Sequence, residues 1–242
     1  MKLNTGKYKY KELIKWYKKP NSQPFKRIIN NQFSEIKDLI GGKHALFIGL
    51  SDFKKKFQSL KYVSFLTINE ISSSGPDNGI AKLPFEDDSY DIIIVMHALD
   101  YTDGPYEFIR EIDRITTDDG KVVMIGFNNF SLWGLLKPLM NKSYMPWSLN
   151  FYSLYSVREW FKILGYETSY KETRGLIPII SKHISKYLEK INILQKFLAP
   201  NLGGLYFYVF NKKTIPLTPV KLKFKEKYVV NAFPKSSLNR IK

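Results

Sequence analysis

The sequence predicts an α/β fold in which a parallel sheet is flanked by helices. Short apolar runs alternate along the chain with longer segments whose apolar residues recur at helical spacing. The run "DIIIVMH", residues 91–97, has the uninterrupted aliphatic character of a central parallel strand. Such alternation of strands and helices is typical of a parallel sheet built from right-handed crossovers.

The predicted elements follow one another in the order that this fold class requires. Two helices are predicted within residues 1–40, and Pro20 and Pro24 separate them because proline interrupts a helix. Strands are predicted at 44–50, 62–68, 91–97, 121–127 and within 203–213. Later helices are predicted at 104–115, 156–166 and roughly 181–198, and the turn "DDG" at 118–120 leads into the fourth strand.

Composition divides the chain into three parts. Residues 1–40 form an N-terminal helical segment, residues 41–213 hold the α/β domain, and residues 214–242 form a basic tail with little apolar periodicity. Within the domain, residues 128–153 are rich in aromatic residues, Met, Pro and Asn. Because that segment is too apolar for a solvated linker and too broken for one long helix, we expect a packed lid or insertion.

The net charge of +16 belongs to the two ends of the chain. Residues 1–30 and residues 212–242 each carry nine Lys or Arg and one Glu, whereas the residues between them carry 20 basic and 20 acidic side chains. Such ends indicate either solvated charge or attraction to an anionic membrane or RNA. The neutral body argues against an RNA-modifying enzyme, because RNA substrates usually meet a basic stripe beside the active site.

Composition also bears on metal sites, disulfides and membrane segments. The chain has no cysteine, which excludes disulfides and thiolate metal sites, and its three histidines are far apart in sequence. No run approaches the roughly 18 apolar residues of a membrane span, and the first residues contain no signal-like apolar stretch. We therefore expect a cytoplasmic protein that binds no metal.

The most specific motif is the block "AKLPFEDDSYDIIIVMHALDYTDGPYEFIREIDRITTDDGKVVMIGFN", residues 81–128. It resembles the core of the type-11 branch of class I S-adenosylmethionine-dependent methyltransferases. In that branch an "LPF" turn, an acidic loop, a buried strand, a short His-containing loop, a helix and a "DDG" turn follow in this order. The segments "GFNNFSLWGLLK", "SVREWFKILGYE" and "GGLYFYVFNKK" resemble a narrower bacterial group of the same superfamily, so that the resemblance covers about residues 25–213.

The resemblance implies a Rossmann-like class I methyltransferase sheet of seven strands, mostly parallel, with the last strand antiparallel. It also implies S-adenosyl-L-methionine as the cofactor, bound across the carboxyl ends of the first strands at the topological switch point. The implied function is methyl transfer to a small or lipid-like acceptor.

The resemblance implies cofactor contacts at four places along this edge of the sheet. They are the loop after the first strand, the end of the second strand where an acid usually binds the ribose, the adenine turn at "LPF", and the start of the loop after "DIIIVM". The corresponding residues of this chain are Gly49, Leu50, Ser51, Asn69, Glu70, Ala81, Lys82, Leu83, His97 and Ala98.

This chain departs from the family pattern within that pocket. The first strand and loop usually supply an acid and several glycines, but here Gly49 is alone, and Phe47 and Ile48 occupy the place of the acid. Gly79 stands where the adenine turn usually has Asp. Losing two charged hydrogen bonds weakens binding by about a hundredfold, unless backbone amides of residues 50–52 replace them. The departures favour an alternative function, that of a catalytically inactive, methyltransferase-like binding or regulatory protein.

The predicted catalytic residues, His97 and Tyr101, belong to the loop at 97–103, which the resemblance places over the methyl-donor pocket. His97 could act as a general base toward an O- or N-methyl acceptor. The alternative is that His97 packs at the end of its strand and hydrogen-bonds to the backbone. Methyl transfer also proceeds by positioning alone when the acceptor is already nucleophilic, so that a base is not required.

The segment "FSLWGLLKPLM", residues 130–140, is expected to cover the same mouth. Its apolar side chains form either a packed sub-core or a pocket for a lipid-like or quinone-like acceptor, with Lys137 and Lys142 near an anionic group. These apolar side chains are Trp133, Leu135, Leu136, Leu139 and Met140.

Overall fold

The computed structural model describes residues 5–50, 53, 62–66, 83–102, 104–177, 195 and 199–213. The α-helices, numbered in chain order, are α1 (Thr5–Lys18), α2 (Gln23–Ile36), α3 (Ala98–Tyr101), α4 (Pro105–Ile115), α5 (Leu132–Leu136) and α6 (Leu154–Ile163). The strands are β1 (His44–Ile48), β2 (Tyr62–Leu66), β3 (Tyr90–Met96), β4 (Thr116–Phe127), β5 (Tyr166–Arg174) and β6 (Leu205–Lys212). Single 3-10 turns occur at Pro20–Ser22, Lys37–Leu39 and Lys137–Leu139.

The strands form one sheet in the order β2-β1-β3-β4-β6-β5. The first four of these strands run parallel, and β6 runs antiparallel to both of its neighbours, β4 and β5. The central strand β3 is buried from Ile92 to Met96, as expected for a strand that is covered on both faces. The predicted mostly parallel α/β sheet with an antiparallel last strand is confirmed.

The strand count differs from the prediction. Six strands lie within the described ranges, whereas seven were expected, and residues 67–82 between β2 and β3 lie outside those ranges. The sequence analysis also missed β5, whose side chains are largely polar and exposed. Among the described strands, β5 pairs with β6 alone, and it lacks the apolar run by which a buried strand is recognised.

The predicted "DDG" turn is an irregularity inside β4. Its pairing with β3 jumps from Tyr90 opposite Thr116 to Ile92 opposite Lys121, and Asp119 has a left-handed φ of 60°. Residues 117–120 therefore bulge out of the ladder, after which the strand resumes regular pairing. The bulge determines the pairing register of the rest of β4, which ends at Phe127.

The two predicted N-terminal helices are present. Pro20 lies in the 3-10 turn between them, and Pro24 lies in the first turn of α2, where the missing N–H breaks no helical hydrogen bond. The buried face of α2 includes Phe25, Ile29 and Phe33. Throughout the described ranges, the helices lack the length and apolar character that a membrane crossing requires.

Helix α1 lies across the carboxyl ends of β1 and β3. Its stripe of Tyr10, Leu13 and Tyr17 is buried, with the i, i+3, i+7 spacing of one helix face. The Tyr10 hydroxyl donates a 3.2 Å hydrogen bond to the Gly49 carbonyl oxygen, and the Tyr17 hydroxyl lies 2.7 Å from Nε2 of His97. These two bonds fix α1 to the edge where the resemblance places the cofactor.

Some predictions concern residues outside the described ranges. They are the helical stretch near 181–198 and the basic tail at 214–242. The proposed division into residues 1–40, 41–213 and 214–242, with a lid at 128–153, stays a prediction.

We expect Tyr17→Phe to lower the free energy of unfolding by about 1–3 kcal/mol, because it leaves Nε2 of the buried His97 without a partner. Urea unfolding followed by circular dichroism measures this change. The matched control is Tyr8→Phe on the same helix, where the side chain is exposed and the expected change is below about 0.5 kcal/mol. Equal stability of the two variants would show that the Tyr17 bond does not hold α1 in place.

Candidate active site

The candidate site lies where the order of the strands reverses. The chain passes from β1 to β2 on one side and returns to β3 on the other, so that the switch point lies between β1 and β3. In open α/β sheets, ligands bind outside the carboxyl ends of the strands at such a point. Gly49 immediately follows β1 there, and His97 immediately follows β3.

The turn at Gly49 requires glycine. Its φ of 141° is one that L side chains rarely adopt, and a Cβ atom would collide with the carbonyl oxygen of Met96 on the neighbouring strand. Leu50 follows as a buried residue. The single glycine of the predicted cofactor loop is therefore needed for the close approach of β1 and β3, whether or not a ligand is bound.

Buried polar contacts surround His97, which has a left-handed φ of 57° and no exposed side-chain surface. Its Nδ1 lies 2.7 Å from Oδ2 of Asp100, and its Nε2 lies 2.7 Å from the Tyr17 hydroxyl. The same Oδ2 accepts a 3.0 Å hydrogen bond from the Phe127 backbone N–H. Both ring nitrogens of the predicted base are thus bonded within the protein.

The hydrogen bonds to Asp100 compensate only in part for the cost of burying its carboxylate charge. Burial raises the pKa of this carboxyl group, and the hydrogen bond and charge of His97 act in the opposite direction. Its other oxygen, Oδ1, is buried and has no hydrogen-bond partner. With Asp100 ionised, Nδ1 of His97 donates to it, and Nε2 is left to accept from Tyr17.

Tyr101 carries another buried polar group without a partner. Its side chain is buried, its ring packs edge-on against Tyr10 at 5.5 Å between centroids, and its hydroxyl has no hydrogen bond. Burial raises the pKa of this phenol well above its usual value, with smaller contributions from Tyr10 and Asp100. At neutral pH the Tyr101 hydroxyl is therefore a protonated donor without a partner, on a ring that packs against Tyr10.

The "LPF" turn is fixed to helix α4 by charged side chains. The Leu83 N–H donates to Glu111 at 2.8 Å, while Arg114 donates to the carbonyl oxygens of Leu83 at 3.1 Å and Phe85 at 2.9 Å. Arg114 also pairs with Asp87 and Glu111. Leu83, one of the predicted cofactor contacts, therefore has a fixed backbone and a buried side chain.

The structure places five of the predicted site residues at or near this edge: Gly49, Leu50, His97, Ala98 and Tyr101 are all buried or lie at a strand end. Ser51, Asn69, Glu70, Ala81 and Lys82 lie outside the described residues. Their predicted roles, like those of the other five and of Leu83, stay predictions.

The sequence analysis missed the contribution of α1. Tyr10 contacts Gly49, which follows it by 39 residues, and Tyr17 contacts His97, which follows it by 80 residues. Tyr17 also packs edge-on against Phe53, at 5.8 Å between ring centroids. The signal that was available was the stripe of Tyr10, Leu13 and Tyr17, but periodicity alone does not say which part of the sheet a helix will cover.

Residues 128–153 pack against the same edge. The Asn150 N–H donates to the Asp100 carbonyl oxygen at 2.7 Å, and the Asn150 side chain donates to Thr102 at 3.0 Å. Lys137 turns inward, where it donates to the Leu149 carbonyl oxygen at 2.6 Å and lies 4.4 Å from the centre of the Phe151 ring. Burial lowers the pKa of this ammonium group.

Only one of the five apolar residues predicted to cover the mouth is fully packed. Trp133 is buried, Leu136 and Met140 are half-buried, and Leu135 and Leu139 are exposed.

Across the described part of the chain, no three His, Asp or Glu side chains are grouped so that they could hold a metal ion.

Comparisons with known proteins agree with this geometry. Residues 75–124 match the sequence model of the type-11 methyltransferase domain family. A curated relative, the uncharacterized protein YafS of Escherichia coli (strain K12), is 34% identical over 138 residues, which cover 56% of this chain and 54% of the relative. The chain thus spans about half the length of the curated relative it matches.

Two solved structures share the fold at low sequence identity. A SAM-dependent methyltransferase from Archaeoglobus fulgidus superimposes with a TM-score of 0.52 at 15% identity, covering 77% of this chain and 94% of that one. An S-adenosylmethionine-dependent methyltransferase from Mesorhizobium loti gives a TM-score of 0.50 at 11% identity, covering 75% and 97%. The chain therefore has the fold of these class I methyltransferases, and its residues 75–124 match the type-11 methyltransferase domain family.

Proposed function

We propose that the protein is an S-adenosylmethionine-dependent methyltransferase that acts on a small or lipid-like acceptor. The observation that carries this proposal is the switch point of the sheet, which falls at Gly49, in a chain whose residues 75–124 match a methyltransferase family. The predicted cytoplasmic location stays a prediction, and RNA as the acceptor is disfavoured by the neutral body of the chain.

The described residues of this edge fit a nucleoside cofactor in two respects. The Gly49 turn brings backbone, without a side chain, to the carboxyl end of β1, and the Tyr101 hydroxyl, on the helix that follows β3, is a buried donor without a partner. When bound, S-adenosylmethionine would supply a methyl group on a positively charged sulfur. Glu70 or Asn69 would hold the ribose hydroxyls, and the turn at residues 81–83 would contact the adenine.

His97 is better suited to positioning than to proton transfer. Its Nε2 accepts the Tyr17 hydroxyl, and its Nδ1 is held by Asp100, so that it can accept a proton from a methyl acceptor only after α1 has moved. We therefore assign His97 to holding α1 over the site. Orientation of an already nucleophilic acceptor then accounts for catalysis without a protein base.

The surroundings of the site support a lipid-like acceptor. The segment that packs on the 97–102 bend, residues 128–153, has no acidic residue and carries exposed leucines next to Lys142. An uncharged apolar acceptor would be retained there by burial of its surface, which contributes about 25 cal/mol per Å².

A second candidate function is that of a non-catalytic binding or regulatory protein. The observation that favours it is the closure of the described edge, where Tyr10, Leu13 and Tyr17 are buried against the ends of β1 and β3. If α1 never leaves this edge, the described side of the site does not admit a cofactor. Ligand binding by the purified protein distinguishes the two functions.

We expect S-adenosylhomocysteine to bind the purified protein, and Glu70→Gln to weaken binding by about tenfold to a hundredfold, because a charged hydrogen bond to the ribose contributes about 1.5–3 kcal/mol. Isothermal titration calorimetry measures the Kd. The matched control is Glu86→Gln, an exposed acid on the loop before β3, which should leave the Kd unchanged.

The absence of both heat and a shift in Tm at millimolar S-adenosylmethionine or S-adenosylhomocysteine would support the non-catalytic function, because even weak ligands stabilise the fold at that concentration.

Substitution of Gly49 is not a suitable test of cofactor binding. Any side chain there collides with the backbone of Met96, and a loss of binding would then reflect misfolding.

We also expect Tyr101→Phe to weaken S-adenosylhomocysteine binding by about fivefold to tenfold while leaving the free energy of unfolding unchanged or slightly raised. The variant removes a hydroxyl that has no partner in the folded protein, so that no internal hydrogen bond is lost. Calorimetry and urea unfolding measure the two effects. Tyr166→Phe, at the opposite end of the sheet, serves as the control for binding, and unchanged binding by Tyr101→Phe would remove this hydroxyl from the site.

A further inference from the structure

A set of large apolar side chains is exposed beside the candidate active site. Leu135 is 71% exposed, Leu139 is 81% exposed and Phe130 is 71% exposed, although the same segment buries Trp133, Leu149 and Phe151. We call this surface the apolar ridge; its members are Phe130, Leu132, Leu135, Leu139 and Tyr144. Exposed apolar surface of this kind marks a site of contact with a partner or a membrane.

The ridge is held outward by the packing of α5. Trp133, on the opposite face of the helix, is buried and donates from its indole N–H to the Gly175 carbonyl oxygen at 2.9 Å. Ser131 caps the helix by accepting from the Gly134 N–H at 3.2 Å. Leu132 and Leu135, at i and i+3 of the helix, then face outward, as does Leu139 at the end of the 3-10 turn that follows it. Their exposure is a consequence of this anchored geometry.

The Lys137 side chain also points into the protein, away from the ridge. Its aliphatic stem leaves the helix toward the protein, and its ammonium group donates to Leu149 and lies over the Phe151 ring. The sequence analysis expected Lys137 near an anionic group of an acceptor, but in the structure its charge is satisfied within residues 128–153. Its inward direction leaves the leucines as the outermost groups of the helix.

The charge around the ridge is positive. Between Asp119 and Glu159 the sequence contains no acidic residue, while Lys142 is exposed next to the ridge. The pKa of Lys137 is lowered mainly by burial, and the positive charges of Lys142 and of Lys9 on α1 act in the same direction. Helix α1 itself carries exposed lysines at 11, 15 and 18, of which Lys15 pairs with Glu12 at 2.7 Å.

The buried side of α5, opposite the ridge, is linked to helix α1 through aromatic rings. The Trp16 ring lies 5.5 Å from that of Phe25, which in turn lies 4.8 Å from that of Trp133. Aliphatic side chains that protrude from a basic surface are the features by which interfacial proteins enter the headgroup region of an anionic bilayer. Nucleic acid would instead favour aromatic rings and arginines on which bases stack; the ridge has two aromatic rings, Phe130 and Tyr144, but no arginine, and its three leucines favour lipid.

We propose that the apolar ridge docks the protein on an anionic lipid bilayer, with Leu135 and Leu139 inserted among the acyl chains and Lys142 at the headgroups. Docking in this way places the candidate site at the membrane surface, because the segment that carries the ridge is bonded to the 97–102 bend through Asn150. The proposal does not depend on methyl transfer, and its test needs no cofactor.

The test is co-sedimentation of the full chain with vesicles of phosphatidylcholine, with or without phosphatidylglycerol, at low ionic strength. We expect binding only to the anionic vesicles. Leu135→Ser and Leu139→Ser should each weaken the partition coefficient by about tenfold, because each removes a side chain that becomes buried in lipid. Lys142→Glu should weaken it by a similar factor.

Matched controls lie at the other end of the sheet. Ile163→Ser removes an equally exposed aliphatic side chain, and Lys162→Glu reverses an exposed lysine on the same helix, α6; neither should change the partition coefficient. All of these side chains are exposed, so that the variants should retain the Tm of the unmodified protein.

Three results would overturn the proposal. The first is no binding to anionic vesicles. The second is vesicle binding that survives both leucine substitutions, which would assign membrane attraction to the basic ends of the chain. The third result concerns self-association and retention of single-stranded RNA. If the leucine variants lose either property as much as, or more than, they lose vesicle binding, the ridge is assigned to a protein or RNA partner.

Discussion

The chain of buried contacts from Tyr17 through His97 to Asp100 holds together three separate parts of the fold. Tyr17 belongs to α1, His97 follows β3, and Asp100 accepts the backbone N–H of Phe127 at the end of β4. None of the three side chains is reached by solvent, so each polar atom must find its partner within the protein or leave a desolvated group unpaired. The position of α1 over the edge of the sheet follows from this requirement.

Around this polar chain lies a layer of aromatic rings that excludes water from it. Phe127 stacks on His97 with 4.7 Å between ring centroids and on Phe151 with 5.1 Å, and Trp133 lies 6.1 Å from Phe127. The aromatic segment at 128–153 is therefore continuous with the core at the carboxyl edge of the sheet. Because α5 contributes Trp133 to this layer, its opposite face is left to carry the exposed leucines.

The candidate site combines the switch point of a parallel sheet with an edge that a helix covers. The switch point and the Gly49 turn lie where the proposed cofactor would bind, and the "LPF" turn is anchored to α4. Helix α1 covers the same edge. Its tyrosines hydrogen-bond to Gly49 and His97, two residues that would adjoin the proposed cofactor. A methyltransferase built in this way must open at α1, whereas a non-catalytic relative would keep it closed, and this one helix separates the two functions.

The sequence by itself determined the class of sheet, its principal buried strands, the break between α1 and α2 at the prolines, and the methyltransferase resemblance of the 81–128 block. These features depend on local periodicity and on motifs that are continuous in sequence. Only the tertiary structure decided that Tyr17 bonds to His97, that "DDG" forms a bulge within β4, that polar β5 pairs with β6, and that Leu135 and Leu139 face outward. Each of these depends on which distant segment packs against the residue, and neither hydrophobic pattern nor propensity contains that information.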